Sequence, residues 1–401
     1  MKRRSVPGFT DLWQNSAILF CIAISCVVFW AARKLFLNQI LFPTDYPSDL
    51  PAHISAALVG DFYSINSPLL RLFHWLNGYS AIASYLSGIV VLTMWAGAWM
   101  IKTLLQINHP DANLDISRIF VVAAPLVFLC SIYLPGFYGV FYYVAENHVT
   151  DFTQPWHNST YLLMRLFSLA AMTYYFKIQS GYLQKPLPTG WIAFLLSLTL
   201  VNAAKPNFFI AFAPAALCFF VYDLIKSGNL KRIVWFGIPF LLSCSVLLLQ
   251  AGALYSGGGE GDQSGIEIST RLFKQVLQNG IFLPHIVAGT TFVLFVTLLC
   301  IVHREGKRSL WFGWTAYFFS FLTRWFLMET GPRANHGNFT WGAKGIAYLL
   351  ACICLERLID LKLRKKISVN AFLVACLLLL LMVGSGVVYF VKLSQGAPYL
   401  I

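Results

Sequence analysis

Apolar residues in this chain come in long unbroken runs, not in the alternating pattern of a half-buried strand or the narrow stripe of a surface helix. A bilayer-crossing helix needs about 20 mostly apolar residues. Eleven runs qualify: 16–37, 79–105, 119–144, 159–178, 188–204, 207–225, 232–252, 281–302, 309–328, 341–360 and 370–393. The pattern predicts an all-α integral membrane protein of about 11 transmembrane helices, forming one polytopic domain over residues 1–401 with no separate soluble domain. The fifth and sixth runs are short and are parted only by Lys205-Pro206, as in a tight hairpin or one broken helix. Lys2-Arg3-Arg4 precedes the first run, and Phe29-Trp30 and Arg33-Lys34 close it, which fits a retained helix better than a cleaved signal.

The longest polar interruption, 38–78, has a pattern of its own. Ile54, Ala57, Leu58 and Phe62, then Leu69, Leu70, Leu72, Phe73 and Leu76, predict short amphipathic helices lying on the membrane surface.

Composition agrees with the runs. The chain is 58% hydrophobic and 11% charged, against about 25% charged in a soluble domain. Its net charge of +13 would suggest nucleic acid on a soluble protein. Here the basic residues sit mainly in short loops, where they set topology instead. With the N-terminus inside, 18 of the 29 basic residues but only 7 of the 16 acidic ones fall on the inner side. The expected location is a cell membrane, a bacterial cytoplasmic membrane in preference to the endoplasmic reticulum, with the working face outside. Arg33 and Lys34 are exceptions, at the outer end of the first run, expected to snorkel to the interface. All nine cysteines fall within apolar runs, as packing residues do.

The soluble-enzyme signatures for phosphate loops, zinc helices, nucleophile elbows and dithiol centres are absent. Candidate chemistry lies in the outer loops. In the first, Asp49 and His53 are four residues apart and share a helix face if Leu50 begins a helix. Asp49 then sits at the N-cap, where a carboxylate is favoured. Asp45 lies one turn before it.

The stretch from Ser48-Asp49-Leu50-Pro51-Ala52-His53 through Gly60-Asp61-Phe62-Tyr63, with Asn66-Ser67-Pro68-Leu69-Leu70, resembles the first outer loop of the GT-C superfamily of polytopic glycosyltransferases. The likeness covers about 25 residues and the span count. It implies sugar transfer from a polyprenyl-phosphate donor to a glycan or lipid acceptor on the outer face. The loop carboxylate would be the base that takes the acceptor's proton. By position that is Asp49, with Asp45 as the second candidate. An acid exposed to water is ionised at neutral pH, as a base must be.

A phosphate leaving group needs cations and donors. Arg333 and His336 in the last outer loop fit, with Lys344 one turn into the next run and Arg324 within the ninth. In the loop 145–158, Glu146 and His148 offer polar contacts to a sugar, and Trp156 a ring for it to stack on. Lys205 offers a further phosphate contact, and His53 a substrate contact beside Asp49. No cofactor is implied, and no residue spacing supports a metal site. Expected partners are membrane lipid, the lipid-linked sugar donor and the acceptor, with no nucleic acid. Two other classes fit the same composition: a polymerase or ligase of polyprenyl-diphosphate-linked glycans, and a lipid-linked substrate transporter or flippase.

Overall fold

The computed structural model describes residues 9–60, 64–132, 155–183, 190–255, 265–278, 282–331 and 338–396. The fold is all-α apart from one short ribbon. Helices α1 (Phe9–Leu41) and α2 (Leu50–Val59) lead into α3 (Asn66–Asn108), followed by α4 (Ile116–Ala123) and a 3-10 turn at Ala124–Phe128. Then come α5 (Ser159–Gln179), α6 (Trp191–Ala204), α7 (Asn207–Ser227) and α8 (Leu230–Tyr255). Strand β1 (Ile266–Ile268), α9 (Arg271–Gln278), α10 (Phe282–Val302), α11 (Arg308–Phe326), β2 (Leu327–Glu329), α12 (Thr340–Leu363) and α13 (Val369–Ser394) complete the chain.

Among the described residues, five helices are long and apolar enough to cross a membrane. They are α1 from Ser16, α3, α7, α8 to Gly252, and α13. The other predicted runs also contain helices, but these are shorter, more polar or only partly described. Of the run 119–144, everything beyond Ile132 lies outside the described residues. By this criterion the described residues supply five crossings, and the count of eleven is not confirmed.

Three local features depart from the runs. First, the helix at 66–76 is continuous with the second predicted run, 79–105, bent at Asn77-Gly78, where Gly78 adopts φ +57°. Only glycine takes that conformation at little cost. Second, the last residues of the predicted run 309–328 leave the helix. Leu327–Glu329 pairs antiparallel with Ile266–Ile268, joining two segments read as plain loop and helix end. Third, Arg33 does not reach outward alone: it donates to Ser80 Oγ at 2.7 Å and Ser84 Oγ at 3.0 Å on α3.

Helix α12 is the central element. It packs against α3, α5, α7, α10 and α11, and 21 of its 24 residues are buried. Gly313 of α11 lets that helix approach, because a Cβ there would lie 2.8 Å from Leu350 Cδ1. A helix apolar all round suits such a place, yet α12 carries Lys344, Glu356, Arg357 and Asp360, each 0–1% exposed. The last three are compensated. Arg357 bonds both Glu356 and, at 3.0 Å, Asp360. Asn108 donates to Glu356 at 3.2 Å, and His109 bonds Asp360. Around this core, Arg364 forks onto Glu305 at 2.6 and 2.7 Å. The same end of the bundle holds a second knot, in which Tyr182 and Arg308 both bond the buried Asp223.

Removing one partner of a fully buried ion pair leaves an uncompensated charge and costs about 3–5 kcal/mol. Arg357→Met should therefore lower stability by that order in chemical unfolding in detergent. Arg364→Gln, whose side chain is 30% exposed, should cost about 1 kcal/mol or less.

Candidate functional site

The site is built around the first turn of α5. Asn158 is its N-cap, in extended conformation, with Oδ1 accepting from Tyr161 N at 2.9 Å and Thr160 Oγ1 at 2.7 Å. Three consecutive residues then each hold a candidate group. Asn158 Nδ2 donates to Asp49 Oδ2 at 2.8 Å. Ser159 Oγ bonds His53 Nδ1 at 2.8 Å and accepts from Asn66 Nδ2 at 2.8 Å. Thr160 Oγ1 accepts from Lys205 Nζ at 3.4 Å. A carboxylate, an imidazole and an ammonium, distant in sequence, thus meet on one strip.

Each group reaches the strip for a local reason. Asp49 is the N-cap of α2 by position, but its side chain makes no capping bond and is turned to Asn158. Its backbone N–H donates to His157 O at 3.0 Å, zipping the loop to the segment before α5. His53 follows one turn later on the same face, as its spacing predicts. Lys205 sits where the chain breaks between α6 and α7, in extended backbone before Pro206. The break frees carbonyls at the end of α6. Ala203 O accepts from Ile65 N, Ser64 Oγ and Gln250 Nε2, and Ala204 O accepts from Ser64 Oγ.

Asp49 and Asp45 are both exposed. They differ in surroundings, since Asp45 makes no side-chain hydrogen bond or ion pair among the described residues, whereas Asp49 accepts from Asn158. Lys205 opens onto a pocket also lined by Thr160, Asn207, Gln250, Glu329 and Asn338. The ribbon brings Glu329 there, 5% exposed, where Asn338 donates to it at 2.6 Å. Asp49 stands on the other side of the strip, outside the pocket lining. The beginning of α12 covers the inner side. Lys205 and Lys344 place their ammonium groups 5.3 and 4.1 Å from the centroid of the same Trp341 ring. Gly342 makes that approach possible, because a Cβ would fall 2.4 Å from Asn207 O.

Other expected residues fare differently. Trp156 is no stacking platform: it is 1% exposed and packs against Phe36, Phe128 and Phe390. Its backbone oxygen, which accepts from Gln39 at 3.0 Å, ties the segment to α1. Glu146, His148, Arg333 and His336 lie outside the described residues. Arg324 is 2% exposed and faces the Trp325 ring at 4.7 Å. Ser159, Thr160 and Asn66 were not singled out from sequence. Their signal was faint, an Asn-Ser-Thr run before an apolar stretch, which marks a helix start. Among the described residues, no group of three His, Cys, Asp or Glu side chains is placed to hold a metal ion.

Comparison of the chain with protein-family models, with curated proteins and with solved structures finds no match. The site therefore stands on its own geometry.

Burial pushes the His53 imidazole down to about 4, with Lys205 acting in the same direction and Asp49 opposing. Burial does the same to His157, also to about 4, opposed by Asp49. A histidine whose folded pKa lies below its ordinary value of about 6.5 resists protonation only in the folded state, so its contribution to stability is complete above that value and is lost as pH falls toward 4. Unfolding midpoints should drop between about pH 7 and pH 4.5, and less steeply in His53→Gln. A flat profile in the wild-type protein would contradict the burial of both rings.

Packing at Gly342 gives a second test. Gly342→Ala should destabilise by about 1–3 kcal/mol, because backbone must move. Gly345→Ala meets only the mobile end of Met164, at 2.7 Å, and should cost less in the same thermal assay.

Proposed function

We propose that this protein is a membrane glycosyltransferase that moves a sugar from a polyprenyl-phosphate donor to an acceptor hydroxyl at the outer face. One observation carries the reading: the α5 strip holds an exposed carboxylate and a buried cation on neighbouring residues, Asp49 through Asn158 and Lys205 through Thr160. Acid and cation are the two ends of a glycosyl transfer. The loop resemblance adds to it, and the charge asymmetry along the chain supports an outer site.

In this reading Asp49 Oδ1, the oxygen not held by Asn158, takes the proton of the acceptor hydroxyl as the hydroxyl oxygen attacks the anomeric carbon. The new C–O bond forms as the bond from carbon to the phosphate oxygen breaks, with inversion. The electron pair leaves on phosphate, where Lys205 stabilises the added charge. Asn158 fixes the carboxylate with a donor, leaving the other oxygen for the hydroxyl. His53, largely neutral at pH 7, holds Ser159 and shapes the strip without adding a competing cation. The pocket beside Lys205 gives the phosphate end of the donor a place to sit.

The test is transfer of labelled sugar from polyprenyl-phosphate donors by protein in proteoliposomes. Asp49→Asn should reduce turnover by about 10²–10⁴-fold, the range for loss of a general base, with membrane abundance unchanged. Asp45→Asn should stay within a few-fold of wild type. Full activity in Asp49→Asn would remove this carboxylate as the base and return the polymerase and transporter readings to the front.

A further inference from the structure

The far end of the bundle carries a groove that sugar transfer does not use. Asn207 lines the candidate pocket and opens α7. Asp223 lies near the other end of that helix, roughly 24 Å away at 1.5 Å per residue. There a groove runs between α7 and α11, lined by Cys218, Phe219, Tyr222, Arg308 and Trp311. Its walls are open: Tyr222 is 55% and Trp311 43% exposed. Tyr and Trp exposed at the ends of membrane helices mark the level where lipid headgroups begin.

The groove also holds a cation with donors to spare. Arg308 donates to Asp223 from each terminal nitrogen, and Tyr182 bonds the same carboxylate. A guanidinium has five N–H groups, and the Arg308 side chain remains 37% exposed. The rings of Phe219 and Tyr222 flank it, with centroids 5.1 and 6.0 Å from its central carbon.

The charges at the mouth do not cancel. Lys226 stands 5.9 Å from the Tyr222 ring centroid and makes no hydrogen bond or ion pair among the described residues. Lys307 precedes Arg308 as the N-cap of α11. Against these three cations stand Asp223, already bonded, and Glu305, which is held by Arg364 and Lys366. A surplus of positive charge beside an apolar wall suits an anion with an apolar body. The planar guanidinium matches phosphate, and basic pockets between helices on the inner side of a membrane receive phospholipid headgroups. The bias of basic residues along the chain assigns this end to the inner side.

We propose that the groove between α7 and α11 binds an anionic phospholipid of the inner leaflet, with its phosphate on Arg308 and its acyl chains against Phe219 and Trp311. A headgroup of net negative charge is selected over a zwitterionic one, whose amine would meet Lys226. The site is separate from the α5 strip and does not depend on what that strip does. A lipid held there joins α7 to α11 beside the Asp223 knot and so stabilises the fold.

Full-length protein in neutral detergent is titrated with dihexanoyl phosphatidylglycerol, dihexanoyl phosphatidylcholine and inorganic phosphate. Apparent affinity is read from the rise in unfolding midpoint. Phosphatidylglycerol should bind at least about tenfold more tightly than either of the others. Lys226→Glu, at an exposed position outside the Asp223 knot, should cut that preference to about threefold or less. Arg308→Lys keeps the charge but loses the fork, and should weaken phosphatidylglycerol binding by about tenfold. Midpoints without lipid check folding, and Lys226→Glu carries the test alone if Arg308→Lys unfolds. Equal affinity for the two lipids, or a preference that Lys226→Glu leaves unchanged, overturns the proposal. So does unweakened binding in a folded Arg308→Lys. Inorganic phosphate binding as tightly as phosphatidylglycerol overturns the lipid and leaves a plain anion site.

Discussion

A helix surrounded on all sides must find partners for every charge it buries, and α12 buries four. That constraint organises the bundle. At the C-terminal end it is met within the protein: Arg357 stands between two carboxylates, Asn108 and His109 reach in from α3, and Arg364 and Glu305 close the rim. Each of these groups would be costly alone, so the end is held as one unit. At the N-terminal end the constraint is met only in part, and there the candidate groups gather. A natural core tolerates an unmet polar requirement mainly where function needs it.

The broken connection between α6 and α7 contributes the other half of the site. A continuous helix would point Lys205 along its own surface. Pro206 and the extended conformation of Lys205 instead turn its side chain to Thr160 and Trp341. The carbonyls released by the break become the attachment points for Ser64, Ile65 and Gln250. The segment between α2 and α3 and the end of α8 are thereby tied to one turn. The local cost of interrupting a helix is offset by bonds that assemble the pocket wall.

Much of this was legible in the chain. Runs of apolar residues place the helices because a bilayer or a bundle core both demand them, and the ends of α5, α7 and α12 fall within a few residues of the runs that predict them. The same equivalence limits a count of crossings: α12 and α5 are surrounded by protein, and a run of apolar residues does not say which solvent it faces. Asp49 and His53 were readable because spacing of four is a local property. The strip was not, since Asn66, Ser159 and Lys205 are brought together by packing. Trp156 misled for a related reason. A tryptophan between polar residues resembles an interfacial ring, and only the convergence of Phe36, Phe128 and Phe390 around it shows a core residue.

The geometry also separates the roles of the two ends. The strip at α5 links side chains of different helices, Asn158 joining Asp49 to the first turn of α5 and Ser159 joining His53 to Asn66. The far end is knotted more tightly, because Arg357, Asp360 and Glu356 are fully buried and share their bonds. The charges on α12 thus fix the fold where they are paired, at the end of the helix where Arg357 holds both of its carboxylates.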